Sequence, residues 1–148
     1  VQIAIEGTAL LAPTDRIALQ RICDQALDLF RRGQDAAAQW AILADALNVG
    51  ESLTRLRICS DDASVAKIDA AQQALAAVHQ RHAERKTWAM RASELQALDD
   101  GIEIHRIQID HCTVREYVEA VEATRRRLQA ALAGNAPVGA VVCVGGMQ

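Results

Sequence analysis

The chain reads as all-α: a five-helix antiparallel bundle with short strand-like N- and C-terminal extensions. Three observations predict this. From about residue 15 to residue 135, apolar residues recur at steps of three and four, which places them on one face of a helix. Helix start and stop signals, rather than polar linkers, separate these stretches. Of the apolar residues that make up 51% of 148 positions, 29 are Ala, and only Phe30, Trp40, Trp88 and Tyr117 are aromatic. Ala is the best helix former and buries little surface, so the expected core is one of closely approaching helices. The length suits one domain. Its expected division is an N-terminal arm at 1–13, a bundle at 14–135 and a tail at 136–148.

Val1, Ile3 and Ile5 alternate with Gln2, Ala4 and Glu6, the period of a short strand, although a disordered arm fits equally. Pro13-Thr14-Asp15 then signals a helix, with Thr14 as its cap. That first helix is expected from Asp15 to Arg32, burying Leu19, Ile22, Cys23, Ala26, Leu27 and Phe30, with Gly33 ending it. Asp28 and Arg32 form an exposed pair. The second helix, Asp35 to Ile58, carries apolar residues on two adjoining flanks and so requires neighbours on more than one side. Gly50 in its middle costs about 1 kcal/mol relative to Ala unless another helix crosses closely there; a local bend or an earlier helix end is the alternative. Glu51 and Arg55 pair on its solvent side.

Ser60-Asp61-Asp62 caps a third helix running to about Arg85, with Val65, Ile68, Ala71, Leu75, Val78 and His82 as its inner stripe. Trp88 is expected to seal one end of the bundle. Ser93 with Gln96 suggests a capping box for the fourth helix, and Leu95, Leu98, Ile102, His105, Ile109 and Cys112 share its face. Thr113 with Glu116 is a cleaner box, so the chain turns at Cys112-Thr113 into a fifth helix, a kinked continuation being the alternative. Tyr117, Val118, Val121, Leu128, Ala131 and Leu132 are its expected inner face. Val141-Val142-Cys143-Val144 is strand-like and could pair with Val1–Ile5 or with a second copy of the chain.

The net charge of −3, from 16 basic and 19 acidic residues, provides no global field for nucleic acid. Cys23, Cys59, Cys112 and Cys143 lack Cys-x-x-Cys spacing and read as reduced thiols in a cytoplasm. No apolar run is long enough to span a bilayer, and no signal peptide is evident; the missing initiator Met suggests a processed or truncated chain. No membrane association, cofactor or small-molecule substrate is therefore inferred.

Four histidines are the candidate metal ligands. His79 and His82 share one side of the third helix, and His105, His111 or Cys112 would have to complete the set from the fourth. Without a recognised ligand spacing, no metal site is assigned. Glu103-Ile104-His105 has the wrong spacing for a di-iron carboxylate element. Asp99 and Glu103 form an i,i+4 carboxylate pair of the kind that usually lies on a solvated face. Cys112 diverges from His111 by about 100° around the helix and lies nearly two turns from His105, so no nucleophile–base pair forms. His105 reads as a buried, hydrogen-bonded core histidine whose replacement by Ala costs about 1–3 kcal/mol and removes no metal. No phosphate-binding loop is present. Arg125, Arg126 and Arg127, with Arg31-Arg32 or Arg81, Arg85 and Lys86, could form a basic patch for weak nucleic-acid association. Local pairing, such as Glu122 with Arg126, accounts for them without a ligand.

The stretches Trp40-Ala41-Ile42-Leu43-Ala44-Asp45-Ala46-Leu47-Asn48-Val49 and Gly101-Ile102-Glu103-Ile104-His105-Arg106-Ile107-Gln108-Ile109-Asp110-His111-Cys112 resemble an uncharacterised family of small helical proteins. These are found in proteobacterial genomes, often among phage-like or integrative-element genes. The resemblance covers about Leu19 to Asn135 and brings no catalytic residues. It implies a bacterial cytoplasmic setting and an accessory role in a mobile element. The expected function is non-enzymatic association with a protein partner or with a second copy, with metal binding and nucleic-acid association as the rival readings.

Overall fold

The computed structural model describes residues 7–134. The strand-like readings of Val1–Ile5 and Val141–Val144 lie outside them. Five helices follow in order: α1 (Pro13–Arg31), α2 (Ala36–Arg55), α3 (Asp62–Arg85), α4 (Ala92–His111) and α5 (Val114–Leu132). Among the described residues the only β-type pairing is an isolated bridge between Leu10 and Thr113.

The helix ends follow local chemistry, with two corrections. α1 starts on Pro13, whose missing N–H is one that a helix start leaves unpaired, and Thr14 does not cap it. Gly33 ends α1 in the left-handed region at φ +71°, where its N–H and that of Gln34 close back on Phe30 and Leu29 carbonyls. Asp61 caps α3 as expected, accepting from Ser64 N at 2.9 Å. The Ser93–Gln96 box does not form. α4 begins earlier, where Glu94 accepts from the Arg91 backbone N–H at 2.9 Å and from the Arg81 guanidinium of α3 at 2.6 Å. That carboxylate both caps α4 and ties it to α3. The Thr113–Glu116 box is complete, and extended backbone at Cys112 makes a real break before α5.

Cross-links fix the directions. Trp40 Nε1–H donates to Leu75 O at 2.9 Å while Gly50 faces Ile68, so α2 and α3 are antiparallel. Gly101 against Ala71 and Arg81 against Glu94 make α3 and α4 antiparallel, and Arg31–Asp99 with Gln20–Asp110 does the same for α1 and α4. Only α2 packs closely on all four other helices, so it is the hub; α3 and α4 form the most extensively packed pair. At their crossing a Cβ on Gly101 would lie 2.3 Å from Ala71 Cβ. Gly50 is the expected crossing point, with Ile68, Gln108 and His105 all against it.

The larger core cluster joins Phe30, Trp40, Leu43, Leu47, Leu75 and Leu98, and a second joins Leu11, Val49, Leu53, Ile109, Cys112 and Ala120. Buried Leu11 shows that the core begins before residue 14. Trp88 closes one end as expected, edge-on to Phe30 and stacked on His82 with ring centroids 4.1 Å apart. Ile22 and Val65, expected inside, are 51% and 42% exposed.

α5 departs most from expectation. Its buried residues are Ala120 and Thr124, with Arg127 half-buried beside them, while Val118 and Leu132 are 48% and 55% exposed. The helix is rotated so that the predicted inner face becomes a flank. Buried polar groups explain the rotation. Thr124 Oγ1 hydrogen-bonds Ser52 Oγ at 2.7 Å, and Arg127 donates to Asn48 O at 2.9 Å and Ser52 Oγ at 2.7 Å. Arg127 also pairs with Glu51, which Gln72 and Arg55 hold from the other side. Leaving such groups unpaired against α2 costs more than leaving part of an aliphatic stripe in water.

Candidate functional site

The site begins at His105, 4% exposed, on the face of α4 that meets α2. Its Nδ1 lies 3.2 Å from Gln108 Oε1. The direction of that bond is fixed by its neighbours: Gln108 Nε2 donates to Gly50 O at 3.0 Å and Ile58 O at 3.1 Å, so its oxygen must face the histidine. Oε1 can only accept, so Nδ1 carries the proton and Nε2 is left with a lone pair. Burial takes the imidazole down to about 4, a fall that the bond to Gln108 only partly offsets. The ring is therefore neutral at pH 7. Its Nε2 has no hydrogen-bond partner among the described residues.

His105 lines a cleft of about 240 Å³ together with Leu19, Ile22 and Cys23 of α1, Ile42, Asp45, Ala46 and Val49 of α2, Ile109, and Tyr117 of α5. The cleft exists because α1 and α5 both lie on α2 without packing closely on each other. Asp45 stands at its solvent edge, where the apolar walls desolvate the carboxyl enough to raise its pKa. Tyr117 is raised first by burial and then, in the alkaline range where the phenol and the thiols ionise, by charge at Cys23, Asp45 and Cys112, which places the phenol within the field of Asp45. Burial pushes Cys23 up to about 11, so its thiol is protonated and is no nucleophile at pH 7.

A second feature is the flank of α5. Val114, Val121 and Leu128 recur every seven residues, with Tyr117, Val118 and Leu132 beside them, and none is fully buried. Arg115 and Glu122 are exposed and lie along the solvent edge of this stripe at about 100° per residue, and exposed Arg125 lies within it, between Val118 and Leu132.

The structure does not bring the four candidate histidines together. His79 packs on Trp40 with centroids 4.8 Å apart and His82 stacks on Trp88, so both belong to the aromatic end of the bundle. His105 sits at the α2–α4 contact, and exposed His111 bonds through Nδ1 to Ile107 O at 2.8 Å. Among the described residues no group of three or more His, Cys, Asp or Glu side chains could hold a metal ion. The three consecutive arginines separate as well. Arg127 is committed to the α2–α5 seam while Arg125 and Arg126 face solvent, and the expected Glu122–Arg126 pair is absent among the described residues. Asp99 and Glu103 are neutralised individually, by Arg31 at 3.1 Å and Arg106 at 2.9 Å.

Sequence reasoning passed over Gln108 and Asp45. Gln108 stands one turn after His105, a spacing that offers a buried histidine a partner. Asp45 follows from nothing local, because its setting depends on how far apart α1 and α5 lie. No helix among the described residues is long and apolar enough to cross a membrane. Neither a family model, nor a curated protein, nor a solved structure matches the chain.

Proposed function

We propose that the protein is a non-enzymatic accessory protein that works by association, and that α5 pairs with α5 of a second copy. The observation that carries this reading is the half-exposed aliphatic flank of α5. A helix that turns Ala120, Thr124 and Arg127 inward, packs Val121 beside the core and leaves Val118 and Leu132 about half exposed, with Leu128 partly so, has a stripe that a partner would bury. Charge favours an identical partner in antiparallel orientation. Glu122 and Arg125 near the middle of the helix then face each other across the interface, whereas a parallel pair sets like charges together. A bacterial cytoplasm and an accessory role in a mobile element fit the resemblance of Trp40–Val49 and Gly101–Cys112.

Sedimentation velocity over a concentration series tests the reading. The native chain is expected to sediment as a dimer that dissociates on dilution. Val118→Lys with Leu132→Lys is expected to sediment as a monomer with unchanged helicity and melting temperature, because both side chains are already about half exposed. A native chain that is monomeric throughout overturns the proposal, as does a double variant that dimerises as well as the native chain.

A further inference from the structure

The cleft beneath α1 and α5 combines three features that the packing of the bundle does not require. Its walls are aliphatic: Leu19, Ile22, Ile42, Ala46, Val49 and Ile109. Asp45 brings a carboxylate to its edge with no ion pair to any described residue. His105, more than nine-tenths buried, brings to it a ring nitrogen that can only accept a hydrogen bond, because Gln108 and the two carbonyls behind it hold the proton on Nδ1. Nε2 is not among the fully buried unpaired atoms of the described residues, so solvent reaches it, and a neutral imidazole with one nitrogen locked as a donor presents the other as a fixed acceptor. The cleft thus offers two acceptors, one of them anionic, between aliphatic walls. Tyr117 can donate or accept and adapts to either.

A ligand for such a site must supply N–H donors and positive charge at one end and apolar surface at the other. An anion would meet Asp45, and a pure acceptor would leave both Asp45 and His105 Nε2 unpaired. The volume of about 240 Å³ lies below the range usual for drug-sized ligands, so the ligand is small. We propose that this cleft binds a small primary or secondary ammonium carried on an aromatic or aliphatic body, with Asp45 as its counter-ion and His105 Nε2 as the acceptor that orients it. Positioning of this kind is binding and not catalysis. The inference is independent of the pairing of α5.

Calorimetry with three probes of similar size tests it: 2-phenylethylammonium, neutral 2-phenylethanol and the anion 3-phenylpropionate. The expected order is ammonium over alcohol by about tenfold or more, with no measurable binding of the anion. Asp45→Asn, at the solvent edge and without a partner to lose, folds normally and brings the ammonium down to the alcohol. Nitrogen NMR supplies a readout that charge alone does not move: the Nε2 resonance of His105 shifts on adding the ammonium while Nδ1 stays protonated. Equal affinity for all three probes, no binding of any, an unaffected Asp45→Asn variant or an unmoved Nε2 resonance each overturns the proposal.

Discussion

Gly101→Ala tests the packing on which the fold depends. In an exposed helix this change stabilises by about 1 kcal/mol. At this position the new methyl carbon would lie 2.3 Å from Ala71 Cβ, 3.0 Å from Lys67 O and 3.3 Å from Leu47 Cδ2. Carbon atoms in contact prefer about 3.5–4.0 Å, so the nearest approach is short by roughly 1.2 Å or more. A flexible side-chain end could swing away, but Ala71 Cβ and the Lys67 carbonyl are fixed to the α3 backbone. The two helices must therefore separate along the most extensively packed contact in the bundle. Overpacking of this kind costs about 1–3 kcal/mol and occasionally more. Because the clash is anchored in backbone, we expect a net loss of about 2 kcal/mol after the helix-propensity gain. For a chain of this size that is a fall in Tm of roughly 4–8 °C. Urea denaturation followed by circular dichroism measures it, and a cycle with Ala71→Gly isolates the contact. Removing the opposing methyl should recover part of the loss, giving a coupling of about 1 kcal/mol. A Gly101→Ala variant as stable as the native chain, or effects that simply add, would refute the close crossing.

Acid should destabilise the fold through His105. Its pKa is about 4 in the folded chain against an ordinary 6.5, so from pH 6.5 downward the unfolded chain takes up a proton that the folded one refuses. Stability from this group is complete above pH 6.5 and falls as pH drops toward 4. We expect about 2 kcal/mol less stability at pH 5 than at pH 7, and a shallower slope in His105→Gln, from denaturant curves at the two pH values. Glu51→Gln should loosen the α2–α5 seam by about 2 kcal/mol, less than the roughly 3–5 kcal/mol of a fully buried pair, because water still reaches both partners. Burial alone would raise the Glu51 carboxyl, but Arg127, Gln72 and Arg55 together hold it below the ordinary 4.5. Its contribution is thus intact at pH 7 and lost as pH falls below about 4.5, and Glu51→Gln should show no such loss.

Helices whose apolar stripe and buried face coincide were legible in the sequence. α4 is the clearest case. Leu98, Ile102, His105, Ile109 and Cys112 are buried as their spacing predicts, and His105 is hydrogen-bonded as its place in that stripe requires. α5 was misread because periodicity finds the greasiest face of a helix, whereas the face that docks is set by partners elsewhere in the chain. Thr124 and Arg127 dock because Asn48, Ser52 and Glu51, more than 70 residues away, offer them hydrogen bonds. The same holds for Val65 and Ile22, which their spacing places inside and their helices leave exposed. Caps of standard type, Asp61 and Thr113, could be read locally, but the α4 start could not, since Glu94 answers to Arg81 as well as to its own helix. The cleft was invisible because it is a gap between helices that are neighbours only through α2.

Electron–electron distance measurement on the chain labelled at one solvent-facing position of α5 tests the central claim most directly. The stripe runs from Val114 to Leu132, so an antiparallel pair is centred near residue 123. Labels placed at Arg125 on the two copies then lie only about 6 Å apart along the helix axis, and labels at Arg115 about 24 Å apart, at 1.5 Å per residue. The account predicts a short distance at Arg125 and a clearly longer one at Arg115. Equal short distances at both positions, or no intermolecular distance at either, would contradict it.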